Sequence, residues 1–270
     1  MTSTQNDSAH LVLSIVVPAY NEAQRVESTL LALLDHARSI ESGPDGGGVE
    51  ILLVDDGSTD RTVEIARKLL TGSGRHRVLN NPDNRGKGFA VRSGMLAARG
   101  QRILFTDADL SAPIEDIVKL HKALDEGANV AIASRAVKGA EFGRRQSRIR
   151  EWLGRGFNLV VQALVLPGIW DTQCGFKLFS RNCAHEVFER AKVDGYAFDV
   201  EALYLAQRLG YEIAEVPVAW SHSPDTRVRV GRDGLSMVRQ VLRIRCLHRQ
   251  VARQSMRRST LPEASRQTVE

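Results

Sequence analysis

The stretch ILFTDADLSAP, residues 103–113, places two carboxylates at the end of an apolar run. Asp107 and Asp109 flank an alanine, and in an extended segment residues two apart point to the same side. Two acids just beyond a buried strand suit a divalent cation, which prefers oxygen ligands. The alternative is that Asp109 or Ser111 caps a helix starting near Pro113, because proline is favoured in the first helical turn. The stretch alone leaves both interpretations open.

The length and composition of the chain indicate one α/β domain. With 270 residues and 43% hydrophobic content, the chain can bury a sizeable core. Cys174, Cys183 and Cys246 follow no zinc or redox spacing, which predicts reduced thiols in a reducing cytoplasm. The first ten residues lack a basic region followed by an apolar one, and no apolar run approaches the roughly 18–20 residues that span a bilayer. We therefore expect neither a signal peptide nor a transmembrane span.

The positive charge of the chain is concentrated in two segments. Residues 227–258 contain ten arginines and one acid, Asp233, although the net charge of the whole chain is only +5. A second basic group lies at residues 135–155, where seven lysines and arginines are opposed by Glu141 and Glu151. Both segments predict an anionic partner.

Short apolar runs alternate with helical patterns over the first half of the chain. Five runs rich in β-branched residues predict buried parallel strands, at residues 11–17, 49–54, 76–80, 102–105 and 129–134. The segments between them carry apolar residues at helical spacing, at residues 25–40, 61–70, 88–100 and 114–127. This rhythm predicts an α/β fold with a doubly wound, mostly parallel sheet.

The loops that follow the predicted strands form the candidate site, because ligands of such sheets bind outside the carboxyl ends of the strands. These loops read PAYNE (18–22), DDGSTD (55–60), NPDNRGKG (81–88) and DAD (107–109). Acidic and glycine-rich loops at four consecutive strand ends suit a nucleotide with a metal-bound diphosphate. A dinucleotide fold is disfavoured, since no G-x-G-x-x-G follows the first strand. We expect Asp60 to cap the helix at 61–70 instead of binding a ligand.

Four longer motifs contain these loops in the same order: SIVVPAYNE, LLVDDGSTD, NRGKGFAVRSG and FTDADLSAP. Together they resemble the family 2 glycosyltransferases, inverting enzymes with a nucleotide-sugar-binding fold called GT-A. The motifs ASRAVKGAE and DTQCGFKLFSR, with residues 195–220, resemble the dolichyl- or polyprenyl-phosphate sugar synthases. Within these, the dolichyl-phosphate β-glucosyltransferase branch is the most similar. The likeness covers residues 11–232.

The resemblance implies a nucleotide-sugar site with a divalent metal. Glu22 and Asp56 would lie against the nucleoside, and Lys87 would approach the diphosphate, with a solvated surface lysine as the alternative. Asp107 would contact the ribose or the sugar, and Asp109 would coordinate Mg²⁺ or Mn²⁺, which offsets charge on the departing nucleoside diphosphate. The implied nucleotide-sugar residues are Pro18, Ala19, Glu22, Asp56, Lys87, Asp107 and Ala108, and the implied metal ligands are Asp107 and Asp109.

A lipid-phosphate acceptor would need cations more than a strong base, because a phosphate monoester is already anionic near neutral pH. Arginine forks match phosphate oxygens, and Arg135 follows the fifth predicted strand. Asp199 stands where relatives with hydroxyl acceptors have a base, and its alternative role is a helix cap. The expected catalytic residues are Asp107, Asp109, Arg135 and Asp199. The expected acceptor-phosphate residues are Arg135, Arg144, Arg148, Gln173 and Lys177, with a merely solvated basic loop as the alternative for the second and third.

The lipid tail of such an acceptor would bring the enzyme to a membrane. The resembled branch commonly has an N-terminal membrane span, for which this sequence offers no candidate. Residues 235–253 interleave apolar side chains with arginines, which predicts a basic amphipathic helix at the interface. The alternative is a helix that packs on its own domain or pairs in a dimer. We therefore expect a disordered N-terminus (1–10), a catalytic domain (11–232), a membrane-interface segment (233–258) and a disordered tail (259–270).

The leading expectation is an enzyme that transfers glucose from UDP-glucose to a polyprenyl phosphate of the dolichyl type, peripheral on the cytoplasmic face of a membrane. Two enzymatic alternatives are mannosyl transfer from GDP-mannose and transfer to a soluble or polysaccharide hydroxyl. The arginine-rich segment alone would also allow a nucleic-acid-binding protein, but no nucleic-acid module is recognised. The expected partners are a nucleotide sugar, a polyprenyl phosphate and an anionic membrane surface, with no nucleic acid.

Overall fold

The computed structural model describes residues 11–43, 46–72, 74–142, 156, 158–221 and 230–251. The expectations for Arg144, Arg148 and the two terminal tails fall outside these residues. Among the described residues, no helix combines the length and the apolar character needed to cross a bilayer.

A twisted sheet forms the centre of the described chain. Its strands are β1 (Leu11–Ala19), β2 (Gly48–Asp55), β3 (Arg77–Asn80), β4 (Arg102–Thr106), β5 (Val130–Ser134), β7 (Phe176–Ser180) and β8 (Ile213–Pro217). They are arranged in the order β3-β2-β1-β4-β7-β5-β8, and β7 runs antiparallel to both of its neighbours. The other neighbours pair in parallel. Strands β6 (Glu141–Phe142) and β9 (Ala219–Trp220) form a separate parallel pair.

Helices pack on both faces of this sheet. They are α1 (Val26–Glu41), α2 (Thr62–Leu70), α3 (Lys87–Ala97), α4 (Ile117–Asp125), α5 (Arg181–Arg190), α6 (Phe198–Arg208) and α7 (Val230–Leu247). Successive strand residues point to opposite faces, so Val16 joins the core beneath α3, α5 and α6, whereas Ile15 and Val17 join the core beneath α1, α2 and α4. The predicted doubly wound, mostly parallel sheet is therefore confirmed.

Strands β7 and β8 were not predicted from the sequence. In β7 the apolar run is interrupted by Lys177, which is nevertheless buried at the centre of the sheet and aligned with Phe105 of β4 and Ile132 of β5. Strand β8 lies at the sheet edge, carries Glu215 in its middle and ends at Pro217. Charged residues and a proline remove the continuous apolar pattern by which buried parallel strands are recognised.

The C-terminal helix α7 overlaps the segment for which a basic amphipathic membrane helix was predicted, and part of its described surface packs on the domain. Val241 and Ile244 are fully buried in the core that contains α6. Beyond the helix, Nε2 of His248 lies 2.7 Å from Oε1 of Glu201, and both side chains are buried. The exposed positions of α7 and the residues just beyond it carry four arginines, Arg239, Arg243, Arg245 and Arg249, together with Leu242, Cys246 and Gln250. Val241 and Ile244 therefore face the core, while the arginines and Leu242 face solvent.

Candidate active site

A pocket of about 510 Å³ opens at the carboxyl ends of β1, β2 and β4. The size falls in the range of small-molecule sites. Eight of its lining residues belong to the predicted site: Pro18, Ala19, Glu22, Asp56, Lys87, Asp107, Ala108 and Asp109. The structure thus brings together all seven residues expected to bind the nucleotide sugar and both expected metal ligands. Two aromatic residues that were not expected from the sequence, Tyr20 and Tyr196, also line the pocket.

The loop after β1 is held by the loop after β2. Asn21, whose φ is 52°, donates its backbone N–H to Ser58 Oγ (2.8 Å) and accepts at Oδ1 from the backbone N of Thr59 (2.7 Å). The backbone N of Glu22 donates to Thr62 Oγ1 (2.7 Å). These bonds fix the pocket wall that carries the Glu22 carboxylate.

Asp60 supports these two loops and does not enter the pocket. Its Oδ1 accepts from the backbone N of Thr62, the first residue of α2, at 3.0 Å. Its Oδ2 accepts from the backbone N of Ala23 at 3.1 Å. The N-cap position itself is occupied by Arg61. Asp60, one residue upstream, accepts the kind of backbone hydrogen bond that a capping side chain accepts.

Asp56 organises the glycine-rich loop that carries Lys87. Its buried carboxylate accepts from the backbone N of Arg85 (3.1 Å) and of Gly86 (2.7 Å). Gly86 has a φ of 110°, a backbone conformation that residues with a side chain rarely adopt. A Cβ added there would collide with the carbonyl oxygen of Asp194. Glycine is therefore required here, and Lys87 follows it as the first residue of α3.

Lys87 is paired with an acid and is not a solvated surface lysine. Its Nζ lies 2.7 Å from Oδ1 of Asp107, and the rings of Phe105 and Phe198 are centred 5.6 and 6.0 Å from it. Burial lowers the pKa of Lys87, but the carboxylates of Asp107 and Asp199 outweigh burial and raise it above its ordinary value. A fixed ammonium thus lies in the pocket beside the candidate metal ligands.

The two acids of the DAD motif reach the pocket from a turn, not from an extended segment. Strand β4 ends at Thr106, and the backbone N of Leu110 (φ 44°) donates to the carbonyl oxygen of Asp107 at 3.2 Å. Asp109 Oδ1 accepts from the backbone N of Ser111 at 3.1 Å. The extended geometry assumed from the sequence is therefore wrong, although both carboxylates line one pocket.

The helix-cap alternative for these residues is also wrong. Pro113 occupies the position before the 3₁₀ turn Ile114–Asp116 that leads into α4, and no side-chain hydrogen bond caps this turn or the helix. Asp109 therefore caps neither this turn nor α4.

Gly175 supports the Asp107 carboxylate, a role that the sequence analysis missed. Its carbonyl oxygen accepts from the backbone N of Asp107 at 3.0 Å. A Cβ added at Gly175 would overlap the carboxylate group of Asp107. The glycine of the DTQCGFK motif therefore leaves the space in which this carboxylate lies, and only contact across the two strands could have revealed it.

The donor set of the pocket fits a divalent metal that is shared with a ligand. No group of three or more histidine, cysteine, aspartate or glutamate side chains that could hold a metal occurs in the described part of the chain. Asp107 and Asp109 supply two carboxylates. Mg²⁺ is commonly held by one or two carboxylates together with substrate phosphates, so the residues present fit an ion completed by a diphosphate.

Arg135 is held by Asp171 outside this pocket. Asp171 accepts from the backbone N (2.9 Å), Nε (2.7 Å) and Nη2 (2.8 Å) of Arg135. Burial raises the pKa of Asp171, but the Arg135 guanidinium outweighs burial and lowers it below its ordinary value. One edge of the guanidinium is therefore bound to Asp171, while the whole Arg135 side chain remains 26% exposed.

Lys177 and Asp199 form a buried ion pair, which corrects the expectation for Lys177. Its Nζ donates to Asp199 Oδ1 and to the carbonyl oxygen of Cys174, both at 2.5 Å, and its side chain is only 1% exposed. A direct contact between Lys177 and an acceptor phosphate does not fit this geometry, because the ammonium is enclosed in the sheet.

Asp199 lies in the first turn of α6 but makes no capping hydrogen bond there. Burial raises the pKa of Asp199, while Lys177 and Lys87 oppose the change. Asp199 is thus the acidic member of a buried ion pair, and it is not among the described residues that line the pocket.

Gln173 is partly buried, and its Nε2 has no hydrogen-bond partner among the described residues.

Comparisons with known proteins place this geometry in a family. Residues 14–188 match the family model described as glycosyl transferase family 2. The dolichyl-phosphate beta-glucosyltransferase of Drosophila melanogaster is 40% identical over 246 residues, which cover 88% of this chain and 76% of the fly protein. The human protein of that name is 37% identical over 88% of this chain and 76% of its own length. The Saccharomyces cerevisiae protein of that name is 35% identical over 88% of this chain and 75% of its own length.

Solved structures share the fold. Glucosyl-3-phosphoglycerate synthase from Mycobacterium tuberculosis in complex with UDP superposes with a TM-score of 0.60 at 22% identity, covering 89% of this chain and 80% of that one. The same enzyme with Mg²⁺ and UDP gives a TM-score of 0.58 at 23% identity, covering 87% and 78%. These similarities confirm the GT-A type of fold. Because the family model spans more than half of the sequence and the relatives align over most of it, the chain belongs to glycosyl transferase family 2.

Proposed function

We propose that this protein transfers a glucosyl group from UDP-glucose to a polyprenyl phosphate of the dolichyl type, with inversion at the anomeric carbon. The proposal rests on one observation: the acidic loops after three strands line the same pocket as the Lys87 ammonium, which is paired with Asp107. The likeness to dolichyl-phosphate beta-glucosyltransferases supports glucose and a lipid phosphate. A related fold crystallised with Mn²⁺ and UDP-glucose supports a uridine donor and a divalent cation.

Different residues of the pocket would contact different parts of the donor. Glu22 and Asp56 would face the nucleoside, while Lys87 would exchange its contact with Asp107 for the diphosphate. That exchange would leave the Asp107 carboxylate free for the ribose or a cation. Mg²⁺ or Mn²⁺ held by Asp107 and Asp109 would supply a Lewis acid that offsets the charge of the departing UDP. Donor binding and metal binding would then be mutually dependent.

The acceptor would be held by cations and would need no strong base. A phosphate monoester is anionic near neutral pH, so its oxygen can attack the anomeric carbon directly. Asp171 fixes the guanidinium of Arg135 in one orientation, and the exposed part of the guanidinium would bind phosphate. Asp199, buried against Lys177, is poorly placed to act as a base. Arg144, Arg148 and Gln173 remain proposed acceptor contacts, and the cytoplasmic membrane surface remains the proposed location.

Nucleotide binding distinguishes the glucosyl from the mannosyl alternative. We expect calorimetric titration with Mn²⁺ present to show UDP binding at least about tenfold tighter than GDP, a difference of about 1.4 kcal/mol. The reason for expecting UDP is the likeness to dolichyl-phosphate beta-glucosyltransferases and to a fold crystallised with UDP. Tighter binding of GDP would favour the mannosyltransferase alternative and overturn the choice of donor.

Arg135 should control the acceptor and not the donor. Removing it alone would leave Asp171 buried without its partner, so the informative variant is Arg135→Ala combined with Asp171→Asn. We expect the apparent KM for polyprenyl phosphate to rise about ten- to a hundredfold, because a hydrogen bond to a charged group contributes about 1.5–3 kcal/mol. The KM for UDP-glucose should stay close to that of the unmodified protein.

Arg38→Ala is a suitable control for this experiment, since Arg38 forms an exposed ion pair on α1. It should leave both KM values unchanged. Equal increases in both KM values for the Arg135 variant would show that this region supports the donor site or the fold instead of the acceptor.

A further inference from the structure

Residues 158–170 expose apolar side chains on a segment that carries no charge. The sequence contains no charged residue between Arg155 and Asp171. Within this segment the exposed positions are all apolar, and they are Leu159, Ala163, Leu164, Pro167, Gly168 and Trp170. The exposed fractions reach 62% for Leu159 and 54% for Trp170. Contiguous exposed apolar surface marks interaction sites, whereas singly scattered apolar residues do not, and the concentration of these side chains in one uncharged segment makes it a candidate.

The exposure of these side chains is not a sign of a loosely packed segment. Val161, Val165, Leu166 and Ile169 from the same segment are buried in the core with α3, α5 and α6. Residues 158–164 are helical, and a surface helix of a water-soluble domain normally places polar residues opposite its buried stripe. This helix instead places apolar residues on both sides, so its outer side suits a second apolar environment.

The neighbouring helix α7 supplies positive charge beside this segment. Nη1 of Arg245 donates to the carbonyl oxygen of Leu164 at 2.9 Å. Arg239, Arg243 and Arg249 are exposed on the same helix or just beyond it, and the described side chains from residue 239 to residue 251 include no acid. Apolar side chains bordered by arginines are typical of surfaces that lie on anionic phospholipids. The charge therefore favours a lipid surface as the occupant.

The apolar segment also ends beside the proposed acceptor site. The backbone N–H groups of Trp170 and Asp171 donate to the carboxylate of Glu215 at 2.8 and 3.0 Å. Asp171 in turn holds Arg135. A phosphate bound at Arg135 would thus have its hydrocarbon chain next to Trp170, and indole rings favour the boundary between apolar chains and water.

We propose that residues 159–170 insert into the headgroup region of an anionic phospholipid bilayer, with the arginines of α7 bound to the lipid phosphates beside them. The proposal rests on the proposed function, since a bilayer is where a polyprenyl phosphate is presented. It assigns most of the apolar contact to residues 159–170, because Val241 and Ile244 of α7 are buried in the domain and Leu242 is the large apolar side chain that the described part of α7 exposes. The role of α7 is then mainly electrostatic.

The test measures binding of the full chain to sedimented vesicles without donor or acceptor, so that it does not depend on the transfer reaction. The vesicles contain phosphatidylcholine with or without phosphatidylglycerol. We expect the double variant Leu159→Gln and Leu164→Gln to bind the mixed vesicles about tenfold more weakly, because less apolar surface leaves water. Val118→Gln is the matched control, since Val118 is 67% exposed on α4, and it should bind like the unmodified protein.

A second measurement covers the case in which the double variant fails to fold. Brominated phospholipids should quench the fluorescence of the unmodified protein, and Trp170→Phe should remove most of that quenching. Unchanged vesicle binding by a folded double variant would overturn the proposal, as would quenching that does not depend on Trp170. A dimer of the full chain that dissociates in the double variant, with vesicle binding intact, would assign the surface to a second copy. Vesicle binding as expected from a protein that transfers no glucose would refute only the proposed function.

Discussion

Replacing Asp109 by asparagine is expected to reduce glucosyl transfer by about a hundredfold or more, since the change removes one of the two proposed anionic metal ligands, and a catalytic metal supplies several kcal/mol of transition-state stabilisation. The fold should persist. Asp109 accepts a hydrogen bond from the backbone N of Ser111, and the amide oxygen of asparagine can accept it as well. Initial rates and melting temperatures of the variant and the unmodified protein check both parts of this expectation.

The control for this variant is Asp35→Asn, which neutralises an exposed acid paired with Arg38 on α1. It should change neither the rate nor the melting temperature. Mn²⁺ affinity in the presence of UDP gives a readout independent of turnover, and it should fall in the Asp109 variant alone. Full activity of Asp109→Asn in the presence of EDTA would refute the assignment of a metal to this loop.

Replacing Lys177 by methionine is expected to lower the free energy of unfolding by about 3–5 kcal/mol, because it leaves a buried carboxylate without its partner. That carboxylate belongs to Asp199, which is 4% exposed. The double variant Lys177→Met and Asp199→Leu should recover much of the loss, since replacing both members of a buried pair by apolar groups is often neutral or stabilising. Urea denaturation of both variants measures these differences.

Lys122→Met provides the matched control, since Lys122 pairs with Glu126 on the exposed side of α4 at 3.8 Å. Its effect should lie within about 0.5 kcal/mol of zero, as for most exposed ion pairs. The opposite pattern would be full stability of Lys177→Met with a raised requirement for polyprenyl phosphate. That pattern would restore the role of phosphate ligand that the sequence suggested for Lys177.

The grouping of the pocket residues was predictable from the sequence because these residues lie in loops that follow parallel strands. Such loops meet at one edge of the sheet whatever their separation along the chain, and so Glu22, Asp56, Lys87 and Asp107 line one pocket. The local geometry was not predictable. Whether Asp109 reaches the pocket from a strand or from a turn depends on where β4 ends, and this requires the neighbouring strands.

The contacts of the proposed acceptor residues were harder to predict because they depend on pairing across distant parts of the chain. The sequence presents Arg135, Asp171, Lys177 and Asp199 as separate charged residues, and a basic side chain near a strand end suggests a phosphate ligand. The structure pairs Arg135 with Asp171, 36 positions away, and Lys177 with Asp199, 22 positions away. Burial decides between ligand and structural partner, and Lys177 is buried because it lies in β7, the antiparallel strand that the sequence pattern did not show.

The most direct test of the proposed reaction is transfer of label from UDP-glucose to a polyprenyl phosphate by the purified full chain with Mg²⁺ or Mn²⁺. We expect label in the organic phase that depends on polyprenyl phosphate and on the divalent cation. Mild acid should release this label as glucose. GDP-mannose should give no such label. Label recovered only in water-soluble products, or in the organic phase only with GDP-mannose, would contradict the proposed glucosyl transfer to a lipid phosphate.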